Sequence, residues 1–117
     1  MISIVDDDAS MREATKQLVM SLGFDARSFP SAEAFLRSSR IDESACLITD
    51  VQMPGMSGVE LQDALHTNGH QVPMIFMTAL PEEHVRDRVL KAGAVGFLSK
   101  PFGDECLIKC LEKALKG

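Results

Sequence analysis

The chain is 117 residues long, 45% hydrophobic and 25% charged, with a formal net charge of −5. That length holds one domain with its own core and leaves no room for two of ordinary size, and the composition is that of a folded protein rather than a disordered or fibrous one. The acidic balance, without any cluster of Lys or Arg, argues against a nucleic-acid footprint here, so any DNA contact would fall to another domain.

Ile2 to Val5 is an apolar run of strand length that ends in Asp6, Asp7 and Asp8. Clustered carboxylates repel one another and raise one another's pKa unless a cation sits among them. Met11, Ala14, Leu18 and Leu22 then keep a helical face, and Gly23 is placed to stop that helix. Phe24 to Phe29 reads as a second strand, and Ser31 to Ser39 as a shorter helix carrying Phe35 and Leu36. Cys46 to Thr49 is the third apolar run and leads into Asp50. Ser57-Gly58-Val59-Glu60 has the pattern of a capping box opening a third helix, which Asn68-Gly69 closes.

Met74 to Met77 is the fourth run, ending at Thr78. Pro81 suits the first turn of a fourth helix, with Glu82 and Glu83 favourable at its N-terminal dipole and Gly93 past its end. Val95 to Leu98 is the fifth run and ends in Ser99-Lys100. After Pro101 a fifth helix turns Leu107, Cys110, Leu111 and Ala114 inward and Asp104, Glu105, Lys109, Glu112 and Lys113 outward.

This alternation predicts one α/β domain over residues 1–117, a doubly wound parallel sheet with helices on both faces, because parallel neighbours need right-handed crossovers. In such folds the ligand site lies beyond the carboxyl ends of the strands, where strand order reverses. Asp6 to Asp8, Asp50, Thr78 and Ser99-Lys100 stand at four of those ends. Each alone reads as the solvated start of a loop; together they read as a site.

Asp6, Asp7 and Asp50 offer hard oxygen ligands, and few protein ligands with several waters suit Mg²⁺ better than Ca²⁺. With a cation offsetting the repulsion, a carboxylate oxygen is free to act as nucleophile toward a phosphoryl group. The Lys100 ammonium and the Thr78 hydroxyl then neutralise the other phosphoryl oxygens. The set predicts phosphoryl transfer to Asp50. Asp8, one past the pair, is expected to cap the first helix instead of binding metal. His66, His70 and His84 are scattered, and Cys46, Cys106 and Cys110 form an odd set without a CxxC pair, which suits reduced thiols and packing. Met53 and Met56 fall in the loop after Asp50, and the methionines hold no cofactor or redox motif.

The stretches "IVDDD", "LITDVQMPGMSGVEL", "IFMTA" and "AGAVGFLSKPF", in this order and spacing, resemble the receiver domain of two-component response regulators over the whole chain, most of all the FixJ-like branch. The resemblance implies a flavodoxin-like (CheY-like) three-layer (βα)₅ sandwich with a five-stranded parallel sheet in the order 2-1-3-4-5. It implies that Asp50 is the phosphoacceptor, that Asp7 binds Mg²⁺ directly and Asp6 mainly through water, and that the backbone carbonyl of Gln52 is a further ligand, with Mn²⁺ tolerated in its place. Thr78 and Lys100 would hold the phosphoryl oxygens, and Phe97 would swing inward as Thr78 moves. Ala79 is small, as receivers prefer there, and Lys100-Pro101 is the bond that receivers make cis.

The implied partner is a sensor histidine kinase. The implied output surface is the face of the fourth helix, fifth strand and fifth helix, used for a phosphorylation-dependent homodimer or to control a DNA-binding transcriptional domain outside this chain. The chain stops just after the fifth helix, which fits either a fragment of a longer regulator or one that stands alone. Such a domain is not a conventional enzyme; it catalyses its own phosphorylation and dephosphorylation. Reset in this family depends partly on the positions of Gln52 and Leu80, and an apolar Leu80 predicts a slow one. Apolar runs no longer than a strand, and an acidic cluster directly after the first, predict neither a membrane span nor a signal peptide, hence no membrane contact and a cytoplasmic location.

"IVDDDAS" also resembles the D-x-D motif of haloacid-dehalogenase-type phosphatases, with Asp6 as nucleophile, Asp8 as acid/base and Thr78 and Lys100 in support. That reading leaves Asp50 unexplained, finds no later acidic pair for the metal and has no room for a cap. Neither GxxxxGK nor GxGxxG occurs, which weighs against nucleotide binding. A docking module that never takes phosphate would be expected to lack one of the acidic pair, the acceptor or the lysine, and all are present.

Overall fold

The computed structural model describes residues 1–38 and 41–116. Five parallel strands, β1 (Ile2–Val5), β2 (Ala26–Phe29), β3 (Cys46–Asp50), β4 (Met74–Thr78) and β5 (Gly96–Ser99), form one sheet in the order β2-β1-β3-β4-β5. Helices α1 (Ala9–Ser21), α2 (Ala32–Arg37), α3 (Gly58–Thr67) and α4 (Glu83–Lys91) make the connections and α5 (Asp104–Lys116) follows β5, with a short 3-10 turn at Ile41–Glu43 that the sequence pattern did not anticipate. The predicted class, strand order and five alternations all hold. The expected ends of the second helix at Ser39 and of the domain at Gly117 lie outside the described residues.

Period-two alternation along the buried strands sends side chains to two cores, one on each face. Ile2, Ile4, Cys46, Ile48, Ile75, Met77 and Leu98 meet Val19 of α1 and Leu107, Leu111 and Ala114 of α5. Val5, Leu47, Met74 and Phe76 meet Phe35, Leu61, Leu65 and Val89 of α2, α3 and α4. Each fully buried Ile, Leu or Phe contributes about 1.5–3 kcal/mol of transfer free energy. Phe29 and Phe35 pack edge to face with ring centres 5.3 Å apart, which seats α2 against the edge strand. The buried amide of Gln62 donates to the Val89 carbonyl at 3.1 Å and locks α3 to α4.

Two expectations need correcting. The buried stripe of α1 runs through Thr15 and Val19, with Leu18 and Leu22 partly buried, while Ala14 is exposed. Thr15 fits there because its hydroxyl donates to the Met11 carbonyl at 2.9 Å, so its one polar group is satisfied inside the helix. Pro81 lies outside α4, which starts at Glu83 after an extended Glu82 that caps without a side-chain hydrogen bond. The chain first closes a small turn at the end of β4, where the Leu80 N–H donates to Thr78 Oγ1 at 3.0 Å, and only then enters the helix.

The three thiols are free. Cys46 is buried in the sheet, which pushes its pKa up to about 12, and Cys110 lies half-buried over Gly96, its pKa raised first by burial. Both behave as packing groups.

Candidate functional site

Register places the site. Val5 pairs with Thr49, Asp50 with Met77 and Thr78 with Ser99, so the residues at or just past these strand ends, Asp6, Asp50, Thr78 and Lys100, come out side by side on the carboxyl rim. Here, between the neighbouring strands β1 and β3, the connections that leave them, α1 and α3, depart to opposite faces, the switch point of a doubly wound sheet.

Asp6 is fully buried, whereas Asp7 is exposed at the mouth. The Asp6 carboxylate accepts the Asp8 N–H through Oδ1 at 3.0 Å, and its backbone carbonyl accepts Arg12 Nη1 at 2.8 Å. Asp8 itself caps α1, accepting the Met11 N–H at 3.1 Å, as its position predicts. From the far side Lys100 Nζ donates to Asp50 Oδ2 at 3.0 Å and to Asp6 Oδ2 at 3.3 Å. The Lys100 N–H donates to the Thr78 carbonyl at 2.7 Å just before the cis Lys100-Pro101 bond, which fixes where the side chain starts. The Gln52 N–H reaches Asp50 Oδ1 at a long 3.4 Å.

The charges do not balance. Carboxylate oxygens of Asp6, Asp7 and Asp50 lie within 4.8 Å of one another, and Lys100 is the one ammonium placed between two of them. Burial raises the pKa of Asp6, and the neighbouring Asp50 adds to this, against the Asp8 N–H and Lys100, which lower it. Burial pulls the Lys100 ammonium down, but its hydrogen bonds and charge pairing with Asp50 and Asp6 outweigh that and leave its pKa raised. Three hard oxygen donors with a single positive partner among them leave an excess of negative charge that fits a small divalent cation. Among the described residues no other cluster of His, Cys, Asp or Glu has this geometry.

Phe97 sits half-buried on the α4 side of β5, beside Phe76 in register, and borders a cleft of ≈ 420 Å³ with Pro81, Glu82, Glu83, Arg86 and Ser99. Thr78 is buried on the neighbouring strand, in register with Ser99. The histidines pair elsewhere: His70 Nδ1 with Asp42 Oδ1 at 2.9 Å and His84 Nε2, at the start of α4, with Glu82 Oε2 at 3.4 Å.

Two supporting residues escaped the sequence reading. Arg12 stands in the N-terminal part of a helix, where a cation opposes the dipole, and that anomaly beside an acidic cluster was the available signal. Gly58 is the other. A Cβ on it would collide with the Asp50 carbonyl oxygen, so α3 enters directly against the backbone of the proposed acceptor. Gly58→Ala should cost about 1–3 kcal/mol, as overpacking against immovable backbone does, and should weaken reaction at Asp50 as well as lower the melting temperature; an unchanged Tm would show that α3 shifts freely.

The sequence profile of the Response regulator receiver domain matches residues 2–112. Response regulator protein TodT of Pseudomonas putida F1 is 40% identical over 116 residues, 99% of this chain and 51% of that protein. Transcriptional regulatory protein FixJ of Bradyrhizobium diazoefficiens is 36% identical over 115 residues, 98% of this chain and 56% of that protein. The chain thus spans about half the length of these curated relatives. Among solved structures it is similar to the response regulator StyR (TM-score 0.91, 40% identity, covering 98% of this chain and 58% of that one). It is likewise similar to FixJ-N (TM-score 0.87, 35% identity, 98% and 92%). These likenesses do not favour the phosphatase reading, and neither does Asp8, whose carboxylate is engaged as a helix cap.

Proposed function

The chain belongs to the response regulator receiver family, and on that premise we propose that Asp50 accepts a phosphoryl group from a phosphohistidine of a sensor histidine kinase, with Asp6, Asp7, Thr78 and Lys100 serving that transfer. The observation that carries this reading is the Lys100 ammonium held between Asp50 and Asp6 at 3.0 and 3.3 Å, on a rim with a surplus of buried carboxylate.

Asp6, Asp7 and Asp50, with the Gln52 carbonyl, would hold Mg²⁺, which when bound supplies positive charge between nucleophile and phosphoryl oxygens; Mn²⁺ is expected to substitute. An Asp50 carboxylate oxygen attacks phosphorus while the P–N bond to the donor imidazole breaks and its electron pair stays on nitrogen. Lys100 exchanges its Asp50 contact for a phosphoryl oxygen. Thr78 Oγ1 already accepts from the Leu80 N–H, so its own proton is free to be donated to another. The phosphorylated aspartate gains roughly −1.5 to −2 charge, and this draws Thr78 and Lys100 toward it. The space Thr78 leaves is where Phe97 turns in, and the cleft that Phe97 borders closes. Both arrangements exist beforehand, and phosphorylation shifts their ratio by binding one better.

The α4-β5-α5 face changes shape with that movement, and it is the proposed surface for a phosphorylation-dependent homodimer or for control of a DNA-binding transcriptional domain outside this chain. The unit taken as the receiver is residues 1–117. No helix among the described residues is long and apolar enough to cross a membrane, and the proposed place of action is the cytoplasm, with its own dephosphorylation as the reset.

Incubation with acetyl phosphate, read by intact mass, tests the reading: one added phosphoryl group with Mg²⁺ and none with a chelator is expected. Phosphate release without a trapped adduct, dependent on Asp6, would overturn it. Reset carries its own prediction. Leu80 is 64% exposed at the rim and has no group to orient water, so the adduct should persist for minutes or longer, and Leu80→Glu should shorten its life several-fold; a parent half-life of seconds would refute this.

A further inference from the structure

Glu33 lies in the first turn of α2, where a carboxylate ordinarily serves the helix dipole. It does something else as well. Its Oε2 accepts the Met56 N–H at 3.2 Å, across 23 residues of sequence. Its Oε1 is buried and meets no donor among the described residues, a costly placement for a carboxylate that a shift into solvent would relieve. Gly55 lies beneath with φ +76°, and a Cβ there would come within 2.5 Å of Glu33 Oε2. That position requires glycine twice, once for its backbone and once to leave room for the carboxylate.

The loop so held runs from Asp50 to α3. Its ends are fixed by the Val51 N–H on the Met77 carbonyl at 2.9 Å and by the capping box of Ser57 and Glu60. Between them Met53 and Met56 pack against the core on the α2, α3 and α4 side, and the bond from Met56 to Glu33 is the hydrogen bond that joins residues 53–56 to another element among the described residues. Gln52, next to Asp50, opens this span.

We propose that Glu33 is a positioning residue, which from α2 clamps the loop after Asp50 and thereby sets the Gln52 carbonyl and the affinity of the Asp6, Asp7 and Asp50 cluster for a divalent cation. This rests on the metal reading above. Partners one step removed from a metal ligand typically alter affinity by 10- to 100-fold when lost, and a clamp acting through three loop residues belongs at the low end.

The test is a Mg²⁺ titration of the folded domain followed by amide NMR shifts, since the chain has neither Trp nor Tyr for fluorescence. Glu33→Ala should weaken Mg²⁺ binding about 10-fold and move the amide signals of residues 52–56 before any metal is added. Glu33→Gln, whose amide oxygen can still accept the Met56 N–H, should keep most of the affinity. If Glu33→Gln loses as much as Glu33→Ala, the effect is one of charge and the clamp is wrong. If Glu33→Ala lowers the melting temperature but binds Mg²⁺ like the parent, Glu33 serves only its helix and the proposal falls, with the metal site standing. If the parent itself shows no Mg²⁺ binding, the metal reading and the clamp fall together.

Discussion

Asp50→Asn is expected to take up no phosphoryl group from acetyl phosphate under conditions that load the parent once. An amide oxygen carries no full negative charge and its product would be an unstable imidate, so trapped adduct should fall by at least ~100-fold, the scale on which a positioned reacting group matters. The substitution is nearly isosteric. The Asn oxygen can keep the contact from the Gln52 N–H, and Asp50 sits 7% exposed in a wall of packed strands that the change leaves intact. Loss of uptake would therefore report chemistry and not unfolding, which a thermal melt on the same sample checks. Lys100 retains Asp6 as a partner in the variant. Uptake equal to the parent would place the reacting group elsewhere and remove the central assignment.

The strands and their chemistry were legible because fully covered parallel strands leave an apolar signature that stops where polar groups begin. Asp50, Thr78 and Lys100 could be found by asking what stands at each stop, and the register then sets them side by side, with the Lys100 ammonium bonded to Asp50. Helix faces were less legible. Ala14 and Thr15 point about 100° apart and flank the stripe of Met11, Leu18 and Leu22 on either side, and the hydroxyl's bond to the Met11 carbonyl lets the threonine take the inner side. The start of α4 was misplaced for a similar reason, since the turn made by Leu80 on Thr78 belongs to the site and competes with helix entry at Pro81. Glu33 was invisible because its partner is a backbone N–H 23 residues away, and no local pattern encodes such a contact. What one element does for another across the fold has to be seen in three dimensions.

Lys100→Met should destabilise the metal-free domain by about 3 kcal/mol at neutral pH, at the low end for breaking a buried ion pair because the ammonium keeps some solvent contact, or roughly 10 °C in Tm. Methionine keeps the unbranched stem, so packing changes little and the charge carries the effect. The Lys100 side chain is 15% exposed, Asp50 11% and Asp6 0%. Without the ammonium, two carboxylates face each other in a pocket that already raises Asp6 by burial.

The pH dependence has a definite sign. A carboxyl whose folded pKa exceeds its unfolded value favours the fold while protonated and costs stability as pH rises through that window, which here starts at the ordinary value of 3.8 and extends upward. Losing Lys100 removes two of the influences that hold Asp6 down, so the window widens. Lys100, with its own pKa raised above 10.5, contributes fully at neutral pH in the parent and ceases to do so only in strong alkali. The gap in Tm between parent and variant should therefore be wide at pH 7 and nearly closed near pH 4, and Mg²⁺ should narrow it at pH 7 by taking over the neutralising role. The same variant is expected to remain reactive at Asp50, yet its Thr78 and Phe97 amide signals should not move on phosphorylation, because the pull that couples the adduct to β5 is gone. A gap in Tm that is independent of pH would mean that Lys100 supports the fold through its stem alone, and that the repulsion within the pocket is already relieved by other means.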